Sequence, residues 1–446
     1  MIELTARQLQ LLCIAGMLPF LGYLTLRVRP STLLSLGLAA EVFSGFWRTM
    51  GISVPLDRML LFGGFFALFM DPDSRAAVRR NMNWIAWLLV ALTIYTMVSF
   101  VTHNGLVGGR GFWGIFDRLG VLPFVAFFAA PVAFARQEDR DFFFRVIIVL
   151  GAYLSMTAVF EVIGPHSLVF PQYITNPNIT THLGRARGPF IEAVANGMAM
   201  FCCGVLSLVA ARVWRVGVWR QVAFFVAGLS VLGAFLSLTR SVWLGSVVAA
   251  ICGCLVVPGI RKYLVPGLAV VGVAVFCMLA FVPGLHKQAT DRLDQRAPIY
   301  DRINTANAAW AMIEAKPLFG FGWNTFERHS ADYMKQTDVP LTAKNVGVHN
   351  IALGFGADLG LIGLSLWSIA VIAAIGGAIR VNWQPANRHL AGAVIAISIS
   401  WAGVAMLTPL AQAFPNLLLW MWAGIAMCSA SSSSPEEIDL REVVRV

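Results

Sequence analysis

The chain has 446 residues, of which 58% are hydrophobic and 13% charged, and its mean hydropathy is +0.72. Soluble domains carry about 25% charged residues, so a water-soluble globular protein is excluded. The net charge of +10 would suit nucleic acid as a partner, but the arginines stand in short loops between apolar runs, and topology explains them without nucleic acid.

In chain order the apolar runs are residues 9–26, 31–46, 59–70, 84–101, 112–134, 142–163, 191–211, 222–238, 242–257, 263–282, 349–379, 389–407 and 414–429. A helix needs about 20 apolar residues to cross the hydrocarbon of a bilayer. Several runs are shorter, so the expected fold is an all-α, polytopic transmembrane helical bundle of about 12 or 13 spans. The first run is followed by Arg27, Arg29 and Pro30 with no small-residue cleavage site, and reads as a retained span rather than a signal peptide. Basic clusters recur at Arg75, Arg79 and Arg80; Arg136 and Arg140; Arg212, Arg215 and Arg220; Arg261 and Lys262; and Arg380 and Arg388. They alternate along the chain, so all can face the cytoplasm.

That orientation leaves two polar segments outside, residues 164–190 and 283–348. The expected organisation is amino-terminal spans over 1–164 and central spans with an arginine-bearing periplasmic loop over 165–282. A large periplasmic loop follows over 283–348, then carboxy-terminal spans over 349–430 and an unstructured cytoplasmic tail over 431–446. Within the large loop, "RINTANAAWAMIEA" spaces Ile303, Ala306, Trp310 and Ile313 as one apolar helical stripe, expected to lie on the membrane or the bundle. "LFGFGW" then reads as a glycine-punctuated turn. All seven cysteines fall inside apolar runs, which leaves no disulfide framework or zinc site to expect.

A charge at the centre of a membrane helix costs roughly 2.5–3.5 kcal/mol on insertion scales, so charges inside apolar runs are functional candidates. In "LSLTRSVWLG", Arg240 stands in a tight turn between two such runs. It is either an interfacial anchor or an anion site, since guanidinium grips phosphate oxygens with a two-pronged fork. "GRARGPF" puts Arg185 and Arg187 on the external side, against the positive-inside trend, with Glu192 as the structural alternative partner. Asp117 and Arg118 read as a pair, and Glu41, Glu161 and Asp358 stay unassigned. His349 precedes a long apolar run with Asn350 beside it. Six of the seven histidines map to the external face or its helix ends. No GxxxxGK[ST] loop is present, so nucleotide hydrolysis is not indicated.

Three arginines and a histidine converging on one external pocket suit a diphosphate-linked substrate. The arginines would neutralise the leaving diphosphate in place of a metal ion, and a neutral imidazole would take the proton of an attacking hydroxyl.

In order, "LSLTRSVWLG", "RINTANAAWAMIEAKPLFGFGWNTF" and "VHNIALGFGADLGLIGL" resemble the O-antigen ligase and polysaccharide polymerase superfamily, over roughly residues 185–366. The resemblance implies a metal-independent, cofactor-free glycosyltransferase of the inner membrane, C-type-like, with helices in its long extracytoplasmic loop. Its donor would be an undecaprenyl-diphosphate-linked oligosaccharide, used on the periplasmic face. Carried onto this chain, His349 would be the catalytic base, and Arg240 and Arg185 would bind the diphosphate; Arg187, from the same external arginine pair, is a further candidate for diphosphate binding. Arg302, Trp310 and Asn350 are the further candidates for acceptor or loop contacts. "GPFIEAVANG" departs from the Asn-Pro-Asn run common in the family, which leaves subgroup and acceptor open.

The acceptor is expected to be a glycan or lipid-linked glycan at the bilayer, with a flippase and a chain-length regulator as candidate partners. The leading expectation is a polymerase of O-antigen or exopolysaccharide repeat units. A ligase moving finished glycan to lipid A core in lipopolysaccharide biosynthesis is the first alternative, and a lipid-linked oligosaccharide flippase the second. A transporter would show inverted repeats, broken helices and charges along a mid-membrane path.

Overall fold

The computed structural model describes residues 22, 27–104, 110–179, 184–294, 297–334, 347–408 and 412–431. The expected first span, apart from residue 22, and the expected tail, apart from residue 431, lie outside these, as do His182 and the side chain of Arg118. Among the described residues the other twelve apolar runs are helical and no strand occurs. In chain order the helices are α1 (Pro30–Ala40), α2 (Leu56–Met70), α3 (Pro72–Asn81), α4 (Trp84–Asn104), α5 (Val121–Ala133), α6 (Gln137–Val162), α7 (Ala193–Val213) and α8 (Val218–Leu236). They continue with α9 (Arg240–Val256), α10 (Leu264–Phe281), α11 (Leu285–Asp294), α12 (Ala297–Ala315), α13 (Phe326–Tyr333), α14 (Ile351–Val381), α15 (Arg388–Ala405) and α16 (Ala413–Ser431). Short single-turn helices lie between them. Among the described residues eight helices are long and apolar enough to cross a membrane, and three shorter apolar ones accompany them, Pro30–Phe43, Arg240–Val256 and Ala413–Cys428.

A helix that is apolar all round belongs inside a bundle, and α16 is the clearest case. Its residues from Phe414 through Ile425 are buried without interruption. It packs against α5, where Phe124 meets Trp420 edge-on with centroids 4.9 Å apart, and also touches α7, α14 and α15. The equally apolar α10 has no buried residue and lies at the lipid-facing periphery. Membrane helices gain most from close backbone approach at small residues. On α9 and α15, a Cβ at Gly253 would come within 2.9 Å of the Gly392 carbonyl oxygen.

The basic clusters gather at one end. Arg29 bonds Glu138 at 2.8 Å, and the Trp214 indole donates to Asp141 at 2.9 Å. At the opposite end, Asp117 is held by Arg58 of α2. Its guanidinium donates to both Asp117 oxygens and to Glu41 Oε1 at 3.2 Å. Asp57, fully buried beside it, accepts from the Trp47 indole at 2.6 Å.

The run expected as one span over 349–379 is broken. Gly360 has φ 67° and ψ −174° inside α14. Residues 361–381 are long enough to cross a bilayer by themselves. Residues 351–359 form a separate half-helix that packs with α12 and α13. His349 therefore opens this half-helix, not the membrane span itself.

Candidate active site

At the end of the bundle away from the basic loops, the turn between α8 and α9 is held from both sides. Thr239 donates its hydroxyl to the Ser237 carbonyl at 2.8 Å. The Trp243 indole stacks on Phe235 at 5.2 Å and donates to the Phe235 carbonyl at 3.0 Å. Arg240 is thereby fixed as the first residue of α9. The 184–190 loop leans on the same turn, because the Ala186 N–H bonds the Leu236 carbonyl at 3.0 Å and Asn196 Nδ2 bonds the Ala186 carbonyl at 3.1 Å. This brings half-buried Arg185 beside the Arg240 turn.

Arg187, two residues on, faces elsewhere. It is 1% exposed, with Nε on Glu161 Oε1 at 3.0 Å and Nη2 on the Ile174 carbonyl at 2.7 Å. The second Glu161 oxygen accepts the N–H groups of Arg187 and Gly188, each at 2.9 Å. The structure thus places Arg187 in a buried clamp closing the loop, away from the Arg240 turn, and its partner is Glu161 instead of Glu192.

The large loop builds a small core of its own. Ala308, Ala309, Met312 and Ile313 of α12 pack with Phe321, Phe326, Val348 and Ala357. The stripe expected from 303, 306, 310 and 313 is rotated: Asn304, Thr305, Ala308, Ala309, Met312 and Ile313 are buried, whereas Ile303 and Trp310 are exposed. Small residues win the inner face because they let α12 approach the half-helix closely. Trp310 donates its indole to Glu314 at 2.7 Å on the outer side.

Two devices lock this core to the span. Gly360 and Gly320, both with positive φ, let the "LFGFGW" turn cross the break in α14, where Leu361 N–H bonds the Pro317 carbonyl at 2.7 Å. A Cβ at Gly360 would lie 2.2 Å from the Leu318 carbonyl oxygen. Asp358 then gathers the end of the turn, accepting the N–H groups of Asn324 at 2.9 Å, Thr325 at 3.2 Å and Phe326 at 2.9 Å. The sequence alone assigns Asp358 no role. The signal available was a carboxylate two residues before a glycine, opposite a glycine-rich turn with free backbone donors.

His349 is mounted on this unit. Val348 is buried in the loop core, and Asn350 caps the half-helix by accepting the Leu353 N–H at 3.0 Å. The capping role belongs to Asn350, so the imidazole is left for something else. Its Nδ1 is buried and has no hydrogen-bond partner among the described residues. Arg302, on α12, has a buried Nε in the same state. Burial holds the His349 pKa below the ordinary 6.5, the Arg302 charge lowers it further, and Asp301 opposes both. Arg302 in turn is held below its usual value by burial and by the charge of Arg240. His349, Arg302 and Arg240 thus form one electrostatic cluster, with Arg185 at the adjoining turn. A half-buried, neutral imidazole beside several guanidinium groups can accept a proton next to a polyanion.

Residues 223–368 match the family model of the O-antigen ligases. The match covers about a third of the chain, and this segment is similar to the O-antigen ligases. No curated protein matches the chain. The matched segment contains Arg240, Arg302, Asp358 and His349, and it covers the turn, the loop core and the half-helix described above. Arg185 and Arg187 fall before it. Among the described residues eight helices are long and apolar enough to cross a membrane, and the match supports reading the chain as a multi-pass membrane protein of surface polysaccharide assembly.

The cluster makes a pH prediction. A base acts only when neutral, so turnover falls as pH drops through its pKa; with that pKa depressed, the acid limb of the single-turnover rate should lie below pH 6.5. Arg302→Ala removes a neighbouring positive charge, so the limb should move to higher pH. A rate profile for Arg302→Ala with the same acid limb as wild type would separate the two side chains.

Proposed function

We propose that this enzyme transfers glycan from an undecaprenyl-diphosphate donor to a hydroxyl of a glycan acceptor on the periplasmic face of the inner membrane. In this reading it works as a polymerase of repeat units. The observation that carries the proposal is the joining of Arg240, Arg302 and His349 in one half-buried cluster at the membrane end that lacks the basic loops. Arg240, Arg302 and Arg185 hold the diphosphate, and their charge offsets what develops on it as the glycosyl–phosphate bond breaks. His349 accepts the proton of the attacking acceptor hydroxyl. Arg302 moves in this reading from the acceptor to the diphosphate, because the charge of Arg240 bears on it.

The transporter reading gains one feature, the broken helix. The break, however, receives a turn of the external loop instead of lining a mid-membrane path, and this favours transfer chemistry. Deletion of the gene followed by gel analysis of surface glycan tests the assignment. Loss of chain length with single units still attached supports a polymerase, whereas full-length lipid-linked chains accumulating in the membrane mean a ligase. Neutralisation by arginine also implies that purified enzyme keeps turning over lipid-linked donor in EDTA. Activity lost in EDTA and regained with magnesium would contradict that part.

A further inference from the structure

A cavity lies at the other end of the molecule. It has a volume of about 800 Å3 and is bounded by α2, α3, α4 and α5. That is within the ~300–1,000 Å3 range of small-molecule sites. Its walls are apolar, with Leu89, Ile94, Phe124 and Phe128 among them, and Arg75 and Arg79 stand at one side. It is open along faces that a bilayer covers, since Phe69 and Ile94 are each 59% exposed and Val125 is 43% exposed.

The arginines come from α3, a ten-residue helix between α2 and α4. Residues 75, 76, 78 and 79 line the cavity together, which is one face of a helix. The two acids of the same segment do not take part. Asp71 caps α3 on the Ser74 N–H at 2.9 Å, and neither it nor Asp73 lines the cavity. The lining therefore contains two positive charges and no negative one. Arg75 lies over the Phe69 ring, 5.6 Å from its centroid, at the border of the apolar wall. The far end of α4 carries His103, beside the "GFGW" turn. With 21 residues in α4, α3 lies about 30 Å from the active-site end, at the opposite membrane surface.

We propose that this cavity is a binding site for an anionic phospholipid of the leaflet opposite the active site. The acyl chain lies along α4 and α5, and the phosphate is held between Arg75 and Arg79. Apolar chains fill the wall that water would wet poorly, and guanidinium groups match phosphate oxygens in geometry and charge. A zwitterionic lipid offers the same chains, but its own cation opposes the two arginines.

The test uses the full chain, delipidated in detergent and titrated with dioleoylphosphatidylglycerol or dioleoylphosphatidylcholine, with retained lipid counted by native mass spectrometry. The wild type should retain phosphatidylglycerol in preference to phosphatidylcholine. The R75S/R79S variant, altered only at exposed positions, should bind phosphatidylglycerol about thirtyfold more weakly and lose the preference. Val90→Trp, which fills the cavity, should weaken both lipids alike. Equal retention of the two lipids by the wild type, or unchanged retention by R75S/R79S, overturns the proposal. It is also overturned if the wild type retains neither lipid and a chain lacking residues 1–26 gains one, since the amino-terminal segment would then be the occupant.

Discussion

His349→Ala should slow the chemical step by roughly 10²–10⁴-fold, the range over which a positioned general base contributes. Donor affinity should hardly change, because the imidazole serves the acceptor hydroxyl. Arg240→Ala should behave differently and weaken both donor binding and turnover, since its contact exists in ground and transition states. Arg240→Lys should recover little, as an ammonium does not reproduce the forked geometry. Donor binding and single-turnover rates of purified variants, with folding checked first, separate the two roles. Wild-type turnover in His349→Ala, or a loss of donor binding as large as that of Arg240→Ala, would sink the assignment of the base.

The second large effect is on stability. Removing one partner of a buried ion pair typically costs about 3–5 kcal/mol, because the other charge is left without compensation. Glu161→Ala should be worse than Arg187→Ala. Glu161 holds the Arg187 guanidinium and also two backbone N–H groups, all of which its loss would orphan, whereas Arg187→Ala leaves those two backbone bonds in place. Thermal unfolding in detergent should give the order wild type, Arg187→Ala, Glu161→Ala. The folded fraction of Arg187→Ala should bind donor almost as wild type does, since the clamp faces away from the Arg240 turn. A folded, thermally unchanged Arg187→Ala that no longer binds donor would return Arg187 to the diphosphate.

The Arg58 hub shows why such pairings escape a reading of the chain alone. Both oxygens of Asp117 are bonded by Arg58, 59 positions away. Sequence separation says nothing about which helix faces which. A buried carboxylate takes whatever cation the packing brings within reach.

The amino-acid sequence by itself determined that this is a helical membrane protein, because hydropathy over about 20 residues reports the solvent of each segment without reference to its neighbours. It also determined which loops carry the positive charge, and it singled out Arg240 and His349, since an ionisable group beside an apolar run is costly wherever it lands. Only the tertiary structure decided which charges meet. It put Arg187 in a clamp and Arg302 beside Arg240, and it turned Trp310 outward. It also broke the helix after His349 at Gly360, where hydropathy ran on unbroken across 349–379. These outcomes depend on rotation about a helix axis and on contacts between distant segments. An apolar pattern near the membrane surface constrains both weakly, because lipid and protein interior accept the same side chains.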